Sequence, residues 1–167
     1  HNGSEWVYED IKDYSSNWAY SNTGRNNQIK LNSTDVPHVV FFDDYYDDVY
    51  LSVRVNGSWS SSSVDDYGGI YTIYGERAIS LAIDSTDGLH VAYYDLGGRF
   101  LEYAHRGPGE SSWTKTNVHD QGNHYIGTSV SIALDSADRP HIAYHDRTHW
   151  DLEYARFDGS EWLVETL

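Results

Sequence analysis

"ISLAIDSTDGLHVAYYD" at residues 79–95 and "VSIALDSADRPHIAYHD" at residues 130–146 are one phrase written twice. His90 and His141 stand in register 51 positions apart, and Asp95 and Asp146 follow each by five residues. A looser copy, "IKLNSTDVPHVVFFDD" at residues 29–44, puts His38 and Asp43 in the same places 52 positions before His90 and Asp95. In each copy alternating runs flank a cluster of the form Asp/Asn-Ser-Thr/Ala-Asp. Alternation at period two marks a strand with one face buried, and the cluster supplies side-chain oxygens that cap a tight turn. The phrase reads as a β-hairpin used three times.

A second word follows each copy. Trp6, Trp59, Trp113 and Trp162 lie 53, 54 and 49 positions apart, and Gly3-Ser4-Glu5-Trp6 near the start is repeated as Gly159-Ser160-Glu161-Trp162 near the end. Aligned on both words, each repeat resolves into four short runs. They are Ile29–Leu31, His38–Phe42, Val49–Val55 and Trp59–Val64; then Ile79–Ile83, His90–Tyr94, Leu101–His105 and Trp113–Val118; then Val130–Leu134, His141–His145, Leu152–Phe157 and Trp162–Leu167. Four strands at a period near 50 residues describe the blade of a β-propeller. A sandwich also has many short strands, but gives no reason for the text to restate itself. The expectation is an all-β chain of three four-stranded antiparallel blades with one extra N-terminal strand. It forms a single repeat domain over 1–167: extra strand and linker at 1–25, then blades at 26–65, 77–119 and 129–167.

The text "SIALDS…PHIAYHD…DLEYA…DGSEW" resembles the tandem repeats of large secreted bacterial and archaeal β-propeller proteins, mostly of unassigned function. The resemblance is carried by Asp84/Asp135, His90/His141, Tyr93/Tyr144, Asp95/Asp146 and Tyr103-Ala104/Tyr154-Ala155. The first repeat departs from it, with Asn32 for the first Asp and Leu51-Ser52 for Tyr-Ala.

Composition narrows the partners. There are 26 acidic against 11 basic residues, a net charge of −15, and no cysteine or methionine. Nucleic acid and anionic membrane need a cationic surface, so neither is expected as a partner. Disulfides and thiolate metal sites are excluded. Asn2, Asn32 and Asn56 each begin an Asn-x-Ser/Thr triplet, which on an exported chain is a glycosylation acceptor and points to an extracellular or cell-surface setting.

Three blades in one chain leave two apolar flanks uncovered, whereas propellers close with about four to eight blades. Self-association is therefore the main functional expectation: an extracellular self-assembling structural or adhesive subunit, an oligomer or filament. Its interface strands are Glu5, Trp6, Val7, Tyr8 and Ile11 at one end and Trp162, Val164 and Leu167 at the other, with the N-terminal run donated as a strand to a neighbour. The alternatives are a lectin-like glycan-binding propeller module, and a fragment of a longer propeller. Aromatic planes and carboxylates suit sugar rings and their hydroxyls, and the loops offer Trp18, Tyr20, Tyr45, Tyr46, His149 and Trp150 as such a face. Asp43, Asp44, Asp47 and Asp48 crowd one loop and are the candidate ligands for calcium, although they lack EF-hand spacing. No other cofactor is expected. One histidine per repeat in an equivalent place reads as structural. No Gly-rich phosphate loop, His-Glu-x-x-His or Gly-x-Ser-x-Gly is present, so no enzyme is expected; a propeller-type glycoside hydrolase or lyase ranks below both other readings.

Overall fold

The structure is a computed structural model and describes residues 5–11, 23–43, 48–66, 78–95, 97–119 and 126–167. Twelve strands form three separate antiparallel meanders. Sheet I comprises β1 (Thr23–Leu31), β2 (Pro37–Asp43), β3 (Asp48–Val55) and β4 (Ser58–Asp65). Sheet II comprises β5 (Ile79–Ile83), β6 (Leu89–Asp95), β7 (Phe100–Arg106) and β8 (Thr114–His119). Sheet III comprises β9 (Ile126–Leu134), β10 (Pro140–Asp146), β11 (Asp151–Phe157) and β12 (Trp162–Thr166). No described residue is helical, and no helix is long and apolar enough to cross a membrane.

The hairpins form where the sequence places them. In the β5–β6 turn, Asp84 Oδ1 accepts from the Thr86 and Gly88 backbone N–H groups at 2.7 Å each and from the Thr86 hydroxyl at 2.9 Å. Asn32 and Asp135 cap the turns of the other sheets through the same atoms. The third turn residue then adopts a left-handed backbone, with φ of 62° at Asp35, 70° at Asp87 and 59° at Asp138. Aspartate tolerates this conformation better than most side chains because it can bond locally.

The sheets stack face to face. Val40, Phe42, Val49 and Leu51 of sheet I meet Ile79, Leu81, Leu89, Val91 and Tyr93 of sheet II. Ala82, Ala92, Leu101 and Tyr103 on the other side of sheet II meet Ile126, Ile132, Ile142 and Tyr144 of sheet III. Two repeat tryptophans lean back onto the preceding interface, Trp113 against the first core and Trp162 against the second. The histidines serve this architecture: His90 bonds Tyr103 Oη at 2.6 Å and Asp84 Oδ2 at 3.2 Å.

Two details differ from the sequence reading. β1 starts at Thr23 and β9 at Ile126, several residues before the predicted Ile29 and Val130, because register shifts let each strand run past the alternating stretch. Residues 5–11 lie outside the three ladders and have no strand assignment. This extra segment is tied to sheet I by side chains: Glu9 accepts from Arg54 Nη2 at 2.6 Å and from Trp59 Nε1 at 3.1 Å.

Candidate functional site

The meander order sends the β1–β2, β5–β6 and β9–β10 turns to one end of the stack. The β2–β3, β6–β7 and β10–β11 loops therefore gather at the other end. At this loop end each sheet carries a sunken aspartate, Asp43, Asp95 and Asp146, with exposures of 0%, 4% and 0%. Asp95 Oδ1 accepts from the Gly97 and Gly98 amides at 2.8 and 3.1 Å; Asp146 Oδ1 accepts from those of Thr148 and His149 at 2.7 and 3.2 Å. The loops are thus held by their first residue, which frees their tips to vary.

Between adjacent sheets, next to these loops, corresponding residues form two closed polar clefts, with Tyr93, Tyr144, Asp65 and Glu153 all buried. In the first, Tyr93 donates its hydroxyl to Asp65 Oδ2 at 2.8 Å, Lys115 pairs with Asp65 Oδ1, and Glu102 on β7 sits beside Tyr93 as its register partner. In the second, His119 Nδ1 lies 2.8 Å from Tyr144 Oη and 2.9 Å from Glu153 Oε2, and Glu153 is the register partner of Tyr144. Both clefts therefore present a tyrosine and a glutamate from one sheet and the end of the fourth strand from the sheet before it.

Burial dominates their electrostatics. Glu102 is pushed up to about 7, first by burial and then by the charges of Asp65 and Asp95, with Lys115 opposing. Burial likewise raises the Tyr93 hydroxyl, reinforced by Asp65, and that of Tyr144, reinforced by Glu153. The tyrosine hydroxyls are matched within the protein, Tyr93 to Asp65 and Tyr144 to His119, and so fix adjacent sheets to one another at the loop end. Buried polar groups of this kind impose geometry because an unmatched one costs about 1–3 kcal/mol.

Trp150 lies over the outward face of sheet III, against His145, 74% exposed and with φ of 64°. Its ring centroid is 6.0 Å from that of His145, while His149 Nδ1 bonds Asp146 Oδ2 at 2.7 Å. That carboxylate raises the affinity of His149 for its proton. Trp150 thus offers a flat apolar plane next to charged groups, a pairing that suits the apolar face and polar edge of a sugar.

Of the residues singled out from sequence, His149 and Trp150 are thus on the loop end. Trp18, Tyr20, Tyr45, Tyr46, Asp44, Asp47 and Asn2 lie outside the described residues. Asp43 and Asp48 are buried register partners at the mouth of the β2–β3 hairpin. Asn56 is exposed at the tip of the β3–β4 turn. At the opposite end, Asp84, His90 and His105 bring three donor atoms within 4.8 Å of one another, a set that can hold a divalent metal. The corresponding site of sheet III lacks the third donor, since Arg156 stands opposite His141, and Arg139 bonds Asp135 there instead. Sequence reasoning passed over Glu102, Glu153 and Lys115, and took Tyr93 and Tyr144 only as marks of the repeat. The available signal was the glutamate repeated inside Leu101-Glu102-Tyr103-Ala104 and Leu152-Glu153-Tyr154-Ala155, a charge on the buried side of a strand.

No protein-family model and no curated protein matches this chain. Solved structures do. A fucose lectin from Kordia zhangzhouensis, solved with methyl-fucoside, superposes with a TM-score of 0.53 at 15% identity, over 83% of this chain and 96% of the lectin chain. AofleA from Arthrobotrys oligospora superposes with a TM-score of 0.55 at 9% identity, over 81% of this chain and 39% of its own. A mutant of AofleA gives 0.56 at 8% identity over the same shares. At these identities the likeness is one of fold, and this chain spans nearly all of the first relative and well under half of the second.

Proposed function

We propose that this chain is a lectin-like carbohydrate-binding module. The observation that carries the proposal is the exposed ring of Trp150 at the loop end, next to the His149–Asp146 pair. The fold likeness to a fucose lectin across nearly its whole length supports the same reading. In it, Trp150 stacks on the sugar ring with His149 beside it, and the buried Tyr93–Glu102 and Tyr144–Glu153 pairs set the base of the loop end. No catalytic role is assigned. Calcium held by the Asp43–Asp48 loop and glycans on Asn2, Asn32 and Asn56 belong to the same extracellular reading. The test is a glycan array followed by titration with the best sugars, methyl-fucoside among them. Saturable binding weakened at least tenfold in Trp150→Ala is expected; an array with no saturable sugar overturns the proposal.

A second reading, a self-assembling structural or adhesive subunit with its N-terminal segment donated to a neighbour, is favoured by a different observation. Ile29, Leu31 and Leu152 are 58%, 56% and 53% exposed on the outward faces of the terminal sheets. The counterparts of Ile29 and Leu152 in sheet II, Leu81 and Leu101, are both 0% exposed. Light scattering of the pure chain tests it: masses above the 19.1 kDa monomer support it, and a monomer at every concentration overturns it.

A further inference from the structure

The two terminal faces are the two halves of an interface the chain already makes twice. Sheet II presents to sheet III a face containing Ser80, Ala82, His90, Ala92, Leu101 and Tyr103, none more than 9% exposed apart from the margins. Sheet III repeats that face outward, position for position, as Ser131, Ala133, His141, Ala143, Leu152 and Tyr154, and there it is open or half-open. Sheet I carries the receiving side outward. Ile29 and Leu31 there correspond to Leu81 and Ile83 in sheet II and to Ile132 and Leu134 in sheet III, which line the internal interfaces.

Both internal interfaces are fastened by the same clip. Ser33 donates its amide and hydroxyl to the Asp87 carboxylate at 2.8 and 2.7 Å. One step on, Ser85 does the same to Asp138 at 3.1 and 2.5 Å. Each sheet thus gives a serine forward and an aspartate backward. Two halves are left over: Ser136, the donor of sheet III, and Asp35, the acceptor of sheet I. Both are exposed, and Asp35 already holds the left-handed backbone of the two engaged aspartates. On the receiving face Val39 and Phe41 are buried, so the part left open is the inner strand and its turn. Glu9 bonds Arg54 and Trp59 of the same sheet.

We infer that sheet III of one copy docks on sheet I of a second copy, head to tail, with Ser136 clipping Asp35 of the partner copy and Ser131 meeting the Ile29 backbone as Ser80 meets that of Ile132 at 3.2 Å. This rests on the self-assembling reading and names its partner and contact. A contact between unlike faces closes into a ring or grows into a filament according to the rotation it imposes.

The experiment is light scattering and sedimentation of the full chain over a wide concentration range, for wild type, Asp35→Asn, Ser136→Ala and the double variant. Wild-type association is expected, weakened about tenfold by either single change, with the double variant no weaker than the singles because they remove one shared contact. Ser85→Ala, which loosens an internal clip, leaves the association constant in place. Association that survives all three variants, or single effects that multiply, overturns the Ser136–Asp35 contact while leaving self-assembly standing. A monomeric wild type overturns both.

Discussion

β6 and β10 carry nearly the same words, Leu89-His90-Val91-Ala92-Tyr93-Tyr94-Asp95 and Pro140-His141-Ile142-Ala143-Tyr144-His145-Asp146. Every residue of β6 is buried, whereas burial alternates along β10. The strands differ in their neighbours: among the described residues, sheet II is covered by sheets I and III, and sheet III by sheet II alone. A blade sequence therefore encodes two buried faces, and whether both are satisfied depends on what stands beside it. Repeat proteins bury their core only by stacking, and the terminal units show what the interior ones conceal.

The comparison can be broken most severely by matched truncations. Leu101 and Leu152 occupy corresponding places, with exposures of 0% and 53%. In dilute solution Leu101→Ala is expected to cost about 2–5 kcal/mol in urea denaturation, as a buried leucine does, and Leu152→Ala less than about 1 kcal/mol. Equal costs would mean that sheet III is covered in the free chain.

The clips give a smaller contrast. Ser85→Ala removes a hydroxyl bond to Asp138 and is expected to lower stability by roughly 1 kcal/mol, the usual net value of such a bond. Ser136→Ala, its counterpart on the open face, is expected to fall within about 0.5 kcal/mol of wild type in the monomer. A loss at Ser136 matching that at Ser85 would show the clip has an intramolecular partner.

The smallest effect separates the clefts by pH. Glu102 binds its proton more tightly folded than unfolded, since its value rises from 4.5 to about 7. Its favourable contribution is fully present below about pH 4.5 and disappears as pH rises through 7. Glu102→Gln should then leave stability nearly unchanged at pH 4.5 and raise it, relative to wild type, at pH 8–9, by on the order of 1 kcal/mol after solvent screening. A pH-independent difference would remove the strained carboxylate from the first cleft.

The hairpins were legible because their determinants are local: alternation, an Asx-type cap, and an aspartate free to turn left-handed. The number of sheets followed from the repeat. The N-terminal Trp6–Ile11 run was read as a strand because it has the words of Trp162–Leu167, yet a strand exists only where an edge receives it, and Glu9 instead holds the run by its side chain. The clefts were missed for a related reason. Glu102 and Glu153 look like ordinary strand polar positions until the preceding sheet brings Asp65 and His119 against them, and no local pattern encodes that meeting. Trp150 was legible as a loop aromatic; that it is 74% exposed and set against His145 was not.

Carbohydrate recognition at the loop end is tested most directly by backbone amide chemical-shift mapping of the full chain during titration with methyl-fucoside and the other sugars retained by the array. Saturable shifts centred on His149 and Trp150 are predicted. Shifts confined to the opposite end, around Asp84, His90 and Asp135, or none that saturate with any sugar, would contradict it.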